Sequence, residues 1–386
     1  MTFTPTTILR LVVLFFFLSS AGALTCVLQA LTYLLIRPFS LHLSRRIILY
    51  LSQTFLLCPS LLLEHYSSVR IITHGTKPNP NHTTLCLMQH ACDTDSLLGL
   101  AWLSRLNYPY PGNAKCIVKR SLGDVPVFGW ILRFAEYIFI SRNWQKDHNT
   151  FIEALKSLKS YPNPWWIVLY PEGSRFTKEK LKFSQEFARS KGYPLVHHVL
   201  FPRLKGFGVI VDTIRDEIDS VVDATVVFEG EPPSVSAMLA GTADCTMHAY
   251  IRTYPVKDIP KEDEQVQKWL INRWVEKDEI IAKFKRDISS LGPSIDSMER
   301  KPSYVKLYVL FILACLVDLI IIGIGISSYT AFKILITVSS VSVAVIAVFT
   351  AIVLKPSSKG SPKGHANRTI TNRTTGNRTN EHVKSN

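Results

Sequence analysis

The stretch Thr84-Leu85-Cys86-Leu87-Met88-Gln89-His90-Ala91-Cys92-Asp93-Thr94-Asp95-Ser96-Leu97-Leu98-Gly99-Leu100-Ala101-Trp102-Leu103 decides how the chain is read. Thr84–Met88 is a short apolar run, the pattern of a buried strand, and Ser96–Leu103 reads as the apolar start of a helix. The polar turn between them holds His90 and Asp95. On one regular helix a spacing of five separates two side chains by about 140°, too far to share a face. With His90 on the turn and Asp95 at the helix start, the chain can double back and let the carboxylate meet the imidazole. A carboxylate that fixes one ring nitrogen leaves the other free to take a proton. No serine or cysteine nucleophile is required if the substrate brings its own hydroxyl. A structural pair of a strand-end histidine and a helix-start aspartate has the same pattern, so the rest of the chain must decide.

Composition narrows the setting. The 386 residues are long enough for one large domain with appendages. They are 47% hydrophobic and 19% charged, with a net charge of +14. Such a charge suits nucleic acid, anionic lipid or small anionic substrates. No nucleic-acid module is present in the pattern, and the apolar residues gather at the two ends, which points to lipid. The seven cysteines are odd in number and scattered, unlike a secreted disulfide framework. Cys86, His90 and Cys92 lack a second ligand pair in metal-site spacing, so no metal is expected.

Ile8–Ile36 is apolar over a length that exceeds a signal-peptide core and suffices to span a membrane. Arg37, Arg45 and Arg46 come after it against Arg10 before it, which puts the chain beyond this span in the cytoplasm. Ile47–Leu63 is a second apolar run, read as an interfacial or re-entrant helix or as a buried core helix. From Val69 onward the pattern is that of an α/β domain. Strands are expected at Val69–Thr73, Thr84–Met88, Lys115–Val118, Tyr137–Ser141, Trp165–Tyr170, His198–Phe201 and Val222–Phe228. Helices are expected at Ser96–Arg105, Val125–Phe134, Asp147–Ser160, Lys178–Lys191 and Gly208–Asp219. The alternation gives a largely parallel or mixed sheet flanked by helices. Glu262–Asp287 is amphipathic, with Val266, Leu270, Trp274 and Ile281 on one face, and reads as a packing helix that closes the domain. Tyr304–Ile326 and Tyr329–Leu354 read as a membrane hairpin, with Asp318 near the middle of its first helix. The polar, basic tail from Lys355 has a disordered composition. It carries Asn-Arg-Thr sequons at Asn367, Asn372 and Asn377, and Asn81 begins another. A cytoplasmic tail and domain leave all four unglycosylated. The expected division is therefore 1–64 (membrane region, span 8–36, second helix 47–63), 65–290 (α/β domain), 304–354 (transmembrane hairpin) and 355–386 (tail).

Cations end several of the expected strands. Tyr170-Pro171-Glu172-Gly173-Ser174-Arg175 suits anion binding: the glycine allows close backbone approach, the serine donates a hydroxyl and the arginine offers a fork that fits phosphate oxygens. Glu172 is positioned to hold the arginine. Arg142, Lys119-Arg120 and Pro202-Arg203-Leu204-Lys205 come after other strands, and such loops gather at one sheet edge, where ligands bind. One base-like His/Asp pair among cationic loops, on a membrane-tethered domain, suits proton abstraction from a phosphate-bearing lipid.

In order, His90-x4-Asp95, Phe139-Ile140-Ser141-Arg142, Glu172-Gly173-Ser174-Arg175 and Pro202-Arg203 resemble the four blocks of the glycerolipid acyltransferases. The likeness is nearest to the multi-span eukaryotic 1-acylglycerol-3-phosphate acyltransferases. It extends over roughly residues 8–354 and includes Ile36–Ser40, Val125–Trp130, Lys205–Phe207, Trp269 and Glu276-Lys277-Asp278. The resemblance implies transfer of an acyl group from acyl-CoA to the sn-2 hydroxyl of lysophosphatidic acid at the endoplasmic reticulum membrane, with no further cofactor. It implies that His90 is the general base and Asp95 its orienting partner. Arg175, with Glu172, Gly173 and Ser174, matches the acceptor-binding block; Arg142 and Lys119 match positions that hold substrate anions. Pro202 and Arg203 match a block linked with positioning of acyl-CoA or acceptor. Three positions depart from the usual pattern: Gln89 stands for Asn, Ser174 for Thr and Glu136 for Gly. Another lysophospholipid, such as lysophosphatidylinositol, or glycerol 3-phosphate fits the same cations. A catalytically silent phospholipid-binding or scaffolding membrane protein is the reading from a different class.

Overall fold

Side-chain alternation along the strands sets the architecture. On Thr84–Met88, Leu85 and Leu87 point into one apolar layer while Cys86 and Met88 point into another, so the strand is buried on both faces. The computed structural model describes residues 5–106, 113–162, 164–295 and 303–327. In chain order these form helices α1 (Pro5–Leu35), α2 (Leu41–Phe55) and α3 (Cys58–Leu61), then strands β1 (Ser68–Gly75) and β2 (Thr84–Met88). Next come α4 (Asp95–Leu106), β3 (Ala114–Lys119), α5 (Phe128–Phe134), β4 (Ile138–Ile140), α6 (Trp144–Ser157), β5 (Trp166–Leu169) and α7 (Lys178–Ser190). The chain continues through α8 (Leu204–Ile214), β6 (Ser220–Glu229), α9 (Val235–Ala240), β7 (Asp244–Pro255), α10 (Asp263–Arg286) and α11 (Val305–Ser327).

The strands join in the order β1-β7-β6-β2-β5-β3-β4. Every neighbouring pair is parallel except β6 with β7, so the sheet is mixed, as expected. One face packs on α6, α8 and α10 through Phe151, Leu155, Phe207, Ile210, Leu270 and Trp274. The other packs on α4 and α9 through Leu98, Trp102 and Met238. The carboxyl ends of β2, β5, β3 and β4 therefore open on one edge.

Two elements correct the sequence reading. His198–Phe201 is not a strand, although Val199, Leu200 and Phe201 are buried. Its backbone is satisfied by side chains: Asp278 Oδ1 accepts from the N–H groups of His197 (2.8 Å) and His198 (2.5 Å), and Ser184 Oγ accepts from Phe201 N–H (2.7 Å). Strand β7 went unpredicted, and it carries the antiparallel pairing to β6 and the parallel pairing to β1.

At the amino end α1 stands beside α2, α5 and α11, with Phe17, Ala21 and Cys26 packed on Phe55, Ile131, Leu307 and Leu310. Among the described residues Ile8–Leu35 is the helix long and apolar enough to cross a membrane. The expected run 47–63 is instead the end of α2, which starts earlier behind a Ser40 cap, then α3 and a π-helical turn over Leu62–Tyr66. Arg45 on α2 is buried: its guanidinium holds Glu136 (2.8 Å) and donates to Ser160 O (3.0 Å), while Arg37 holds the same carboxylate (3.0 Å). Glu136, which stands where the family pattern usually has glycine, thus ties α2 and the turn before it to the start of β4. Burial alone raises the Glu136 pKa, but hydrogen bonds from Arg45 and Arg37 outweigh it and hold the carboxyl low. Asp318 accepts a hydrogen bond from Ser20 Oγ (2.7 Å), so it joins α11 to α1. The second helix expected in the hairpin and the tail lie outside the described residues.

A buried charge pair closes the α/β domain. Lys277 Nζ on α10 lies 2.5 Å from Asp223 Oδ1 on β6 and donates to Ala224 O, with both side chains fully buried. Removing one partner of such a pair strands the other charge in the interior, at a cost of about 3–5 kcal/mol. Arg252 Nη2 also holds Asp223 Oδ2 at 2.6 Å, so the charge left stranded is that of Lys277: Asp223→Ala should lower stability by that order, measured by chemical unfolding in detergent beside the parent protein.

Candidate active site

Gln89 fixes the end of β2. Its side-chain amide imitates a peptide unit: Nε2 donates to Val226 O (2.5 Å) and Oε1 accepts from Val226 N–H (3.1 Å). The β2–β6 pairing is thereby continued by a side chain beyond Met88, and the backbone is released to turn at His90. Asp95 is the first residue of α4 and is buried, whereas the His90 ring is 22% exposed. Asp95 Oδ2 lies 2.6 Å from His90 Nδ1 and also accepts the Cys92 N–H (2.8 Å). Oδ1 accepts the Cys92 thiol at 3.2 Å. Burial, then Asp95 itself, push the Cys92 pKa well up, so the thiol stays a donor to the carboxylate. The Tyr170 ring lies 4.8 Å from the His90 ring, centre to centre. His90 Nε2 has no hydrogen-bond partner among the described residues. The pair forms as the sequence spacing predicts: the carboxylate fixes Nδ1, and Nε2 is left to exchange a proton.

The Glu172–Arg175 loop leaves β5, the parallel neighbour of β2. It wraps His90 through two backbone contacts: Glu172 Oε2 accepts His90 N–H (3.2 Å), and Phe176 N–H donates to His90 O (2.8 Å). Glu172 does not hold Arg175, contrary to the expectation. It points inward, where Oε1 accepts from Trp274 Nε1 at 3.2 Å. Arg175 pairs instead with Asp93, two residues before Asp95. Trp274 thus brings α10 to the site, although its spacing marked it as core alone.

The predicted cations converge in part. Gly173 adopts φ +63, and a Cβ there would meet Arg203 Nε at 3.0 Å, so the glycine admits the arginine against the loop. Arg203 N–H donates to Pro171 O (2.8 Å), which locks the buried Pro202 and its neighbour onto the same turn. Arg142 also has a positive φ, +65, held by Asp147, which accepts from Ser141 N–H (2.9 Å), Ser141 Oγ (2.7 Å) and Asn143 N–H (3.1 Å). Partial desolvation, then the neighbouring Arg203 guanidinium, lower the Arg142 pKa. Lys180, in the first turn of α7, was missed by sequence reasoning and has no motif to mark it. Its Nζ donates to Ser174 Oγ (2.5 Å) and to Arg175 O (3.1 Å). Partial desolvation, then Arg175 and Arg142, lower its pKa, and Asp93 opposes them. Arg142, Arg175, Lys180 and Arg203 therefore share one electrostatic neighbourhood. Lys119 ends β3 opposite Ile140, exposed on the same sheet edge, its side chain without a hydrogen bond among the described residues.

A cleft of about 420 Å³ opens beside His90. Phe176, Val227, Phe228, Ile281 and Phe284 make its walls apolar, and Glu172, His198, Glu231 and Lys285 add polar groups. Such a cleft suits a hydrocarbon chain with a few orienting polar atoms.

Burial raises the Glu172 pKa to about 8, against hydrogen bonds from Trp274, His90 and Leu200. A carboxyl whose folded pKa exceeds its unfolded 4.5 binds more protons in the folded state, so its stabilising effect is complete below 4.5 and lost as pH rises through about 8. Glu172→Gln keeps one of the two acceptor oxygens and cannot ionise. Its thermal midpoint should gain on the parent protein's as pH rises across this window; parallel curves would contradict a protonated Glu172.

The acyltransferase family model matches residues 70–198, and the model for the acyltransferase C-terminus matches residues 237–312. The 1-acyl-sn-glycerol-3-phosphate acyltransferase 2 of Arabidopsis thaliana is 33% identical over 275 residues, 70% of each chain. The human 1-acyl-sn-glycerol-3-phosphate acyltransferase delta is 32% identical over 277 residues, 70% of this chain and 71% of that one. The crystal structure of the 1-acyl-sn-glycerophosphate (LPA) acyltransferase from Thermotoga maritima covers 73% of this chain and 98% of its own, at 15% identity and a TM-score of 0.44. On the sequence relatives and the two family models, the chain belongs to the 1-acyl-sn-glycerol-3-phosphate acyltransferase family and is an acyltransferase.

Proposed function

We propose that the chain transfers an acyl group from acyl-CoA to the sn-2 hydroxyl of 1-acyl-sn-glycerol 3-phosphate, giving phosphatidic acid and free CoA. The observation that carries this is the 2.6 Å contact of His90 Nδ1 with Asp95, beside the group Arg142, Arg175, Lys180 and Arg203. The cations hold the acceptor phosphate by charge-assisted hydrogen bonds. Phosphate binding draws Arg175 away from Asp93 or shares it. The acceptor hydroxyl then donates its proton to His90 Nε2 as its oxygen attacks the thioester carbonyl. Collapse of the tetrahedral adduct breaks the carbon–sulfur bond, and the proton passes from His90 to the departing CoA sulfur. Asp95 keeps the ring oriented and favours the imidazolium that forms. The acyl chain lies in the apolar cleft beside His90.

We further propose that the protein resides in the endoplasmic reticulum membrane as a multi-pass protein, with the α/β domain and the tail in the cytosol, where acyl-CoA is at hand. The basic flank Arg37, Arg45 and Arg46 after α1 supports that orientation. A phosphodiester acceptor such as lysophosphatidylinositol, or glycerol 3-phosphate, is the alternative, since clustered cations attract any phosphate.

Acyl transfer from labelled acyl-CoA to a panel of lysolipids and glycerol 3-phosphate distinguishes these readings. Lysophosphatidic acid should give the highest kcat/KM; preference for a phosphodiester would transfer the reading to that acceptor. His90→Ala should lower turnover by at least about 10²–10⁴ with folding intact. Arg175→Ala should raise KM for lysophosphatidic acid by about ten- to hundredfold, the worth of a charged hydrogen bond. Undiminished turnover by His90→Ala would sink the mechanism.

A further inference from the structure

Helix α7 leaves its apolar side uncovered. Phe183 and Phe187, one turn apart, are 66% and 49% exposed, and Leu195 beyond the turn at Gly192 is 38% exposed. The packed side of the helix is a different one. Ala188 is buried, Ser184 Oγ accepts from Phe201 N–H, and Gln185 Nε2 donates to Val196 O at 2.8 Å. Phe187 is braced by the rings of Tyr193 and Phe201, 6.5 and 5.9 Å away between centroids. The aromatic patch is therefore held in place rather than dangling. Along the same helix and the turn after it, Lys178, Lys182, Arg189 and Lys191 are exposed, with Glu179 and Glu186 standing between the aromatic stripe and the cations of the helix.

Large apolar side chains displayed together on a mostly polar, net cationic helix mark a binding surface. This combination is that of a helix lying in the plane of a membrane, with aromatic residues below the headgroups and cations at the level of lipid phosphates. A second feature favours lipid over protein. The first turn of the same helix carries Lys180, which touches Ser174 and the Arg175 carbonyl at the cationic site. A bilayer against α7 puts that site at headgroup depth, where a lysolipid phosphate sits.

We propose that α7 and the turn after it form a docking surface for an anionic phospholipid bilayer, with Phe183, Phe187 and Leu195 entering the interface and Lys182, Arg189 and Lys191 meeting lipid phosphates. This surface is separate from the apolar helices α1 and α11, and it requires no particular acceptor or acyl donor. It orients the domain so that the acceptor moves sideways from the leaflet to His90.

The test is Phe187→Trp in the full-length protein, reconstituted in nanodiscs containing phosphatidylserine, its emission read as the difference from the parent protein. Lipids brominated on their acyl chains should remove most of the added emission, and aqueous acrylamide should leave it. Lys182→Gln with Arg189→Gln and Lys191→Gln should restore much of the emission. Acrylamide quenching of the added tryptophan would overturn the proposal, and so would protection from both quenchers, which would mean a protein covers the patch. Phe183→Trp, at a more exposed position, serves if Phe187→Trp fails to fold. These readouts involve no turnover, so they separate failure of the docking surface from failure of the acyltransferase mechanism.

Discussion

One hydrogen bond, from the imidazole at the end of a buried strand to a carboxylate at the start of the next helix, sets the terms for the rest of the structure. For His90 and Asp95 to meet at 2.6 Å, β2 must stop abruptly and α4 must begin within a few residues. Gln89 makes the stop possible by carrying the ladder one step further with its side chain. The Glu172 loop on the neighbouring strand then holds the His90 backbone from the other side. Parallel pairing of β2 with β5, and of β5 with β3, puts the cationic loops at the same edge as this pair. The site thus depends on strand direction as much as on the identity of its residues.

Much of this was legible in the sequence, for physical reasons that differ by element. Strand β2 is apolar throughout because both its faces are covered, and the amphipathic period of α10 shows where that helix packs. The His90/Asp95 pairing is set by where a strand must end and a helix must begin. Contacts between distant segments were harder to read. Trp274 lies 102 residues beyond Glu172, and its period announces only a core position, so its indole donor went unseen. Lys180 is one of many helical lysines. The run at His198–Phe201 is as apolar as a strand, but Asp278 and Ser184 satisfy its backbone in place of a neighbouring strand. Glu172 was read as the partner of Arg175 because adjacency in sequence favoured it; burial turned it toward Trp274 and left Asp93 to the arginine.

The departures from the usual family pattern gain a physical meaning. Gln89 is long enough to span two hydrogen bonds to Val226, and Glu136 is the anion that Arg37, in the turn before α2, and Arg45 on α2 require. Ser174 keeps a hydroxyl in contact with Lys180. Each departure secures the frame around His90 and Asp95, the pair to which the proposed mechanism assigns the chemistry. On the proposed mechanism, the apolar helices, the anchored Glu136 and the exposed face of α7 all bear on one problem, which is to bring a lipid acceptor to the partly exposed His90 ring.

The central claim is that His90 and Asp95 act as one base. A double-mutant cycle on kcat with His90→Ala, Asp95→Asn and the two combined measures this directly, because members of one catalytic unit are not additive. We expect the double variant to be no slower than His90→Ala alone, with Asp95→Asn slowed on its own and the KM for both substrates little changed. Losses that multiply in the double variant would contradict a shared role and assign the carboxylate a separate one.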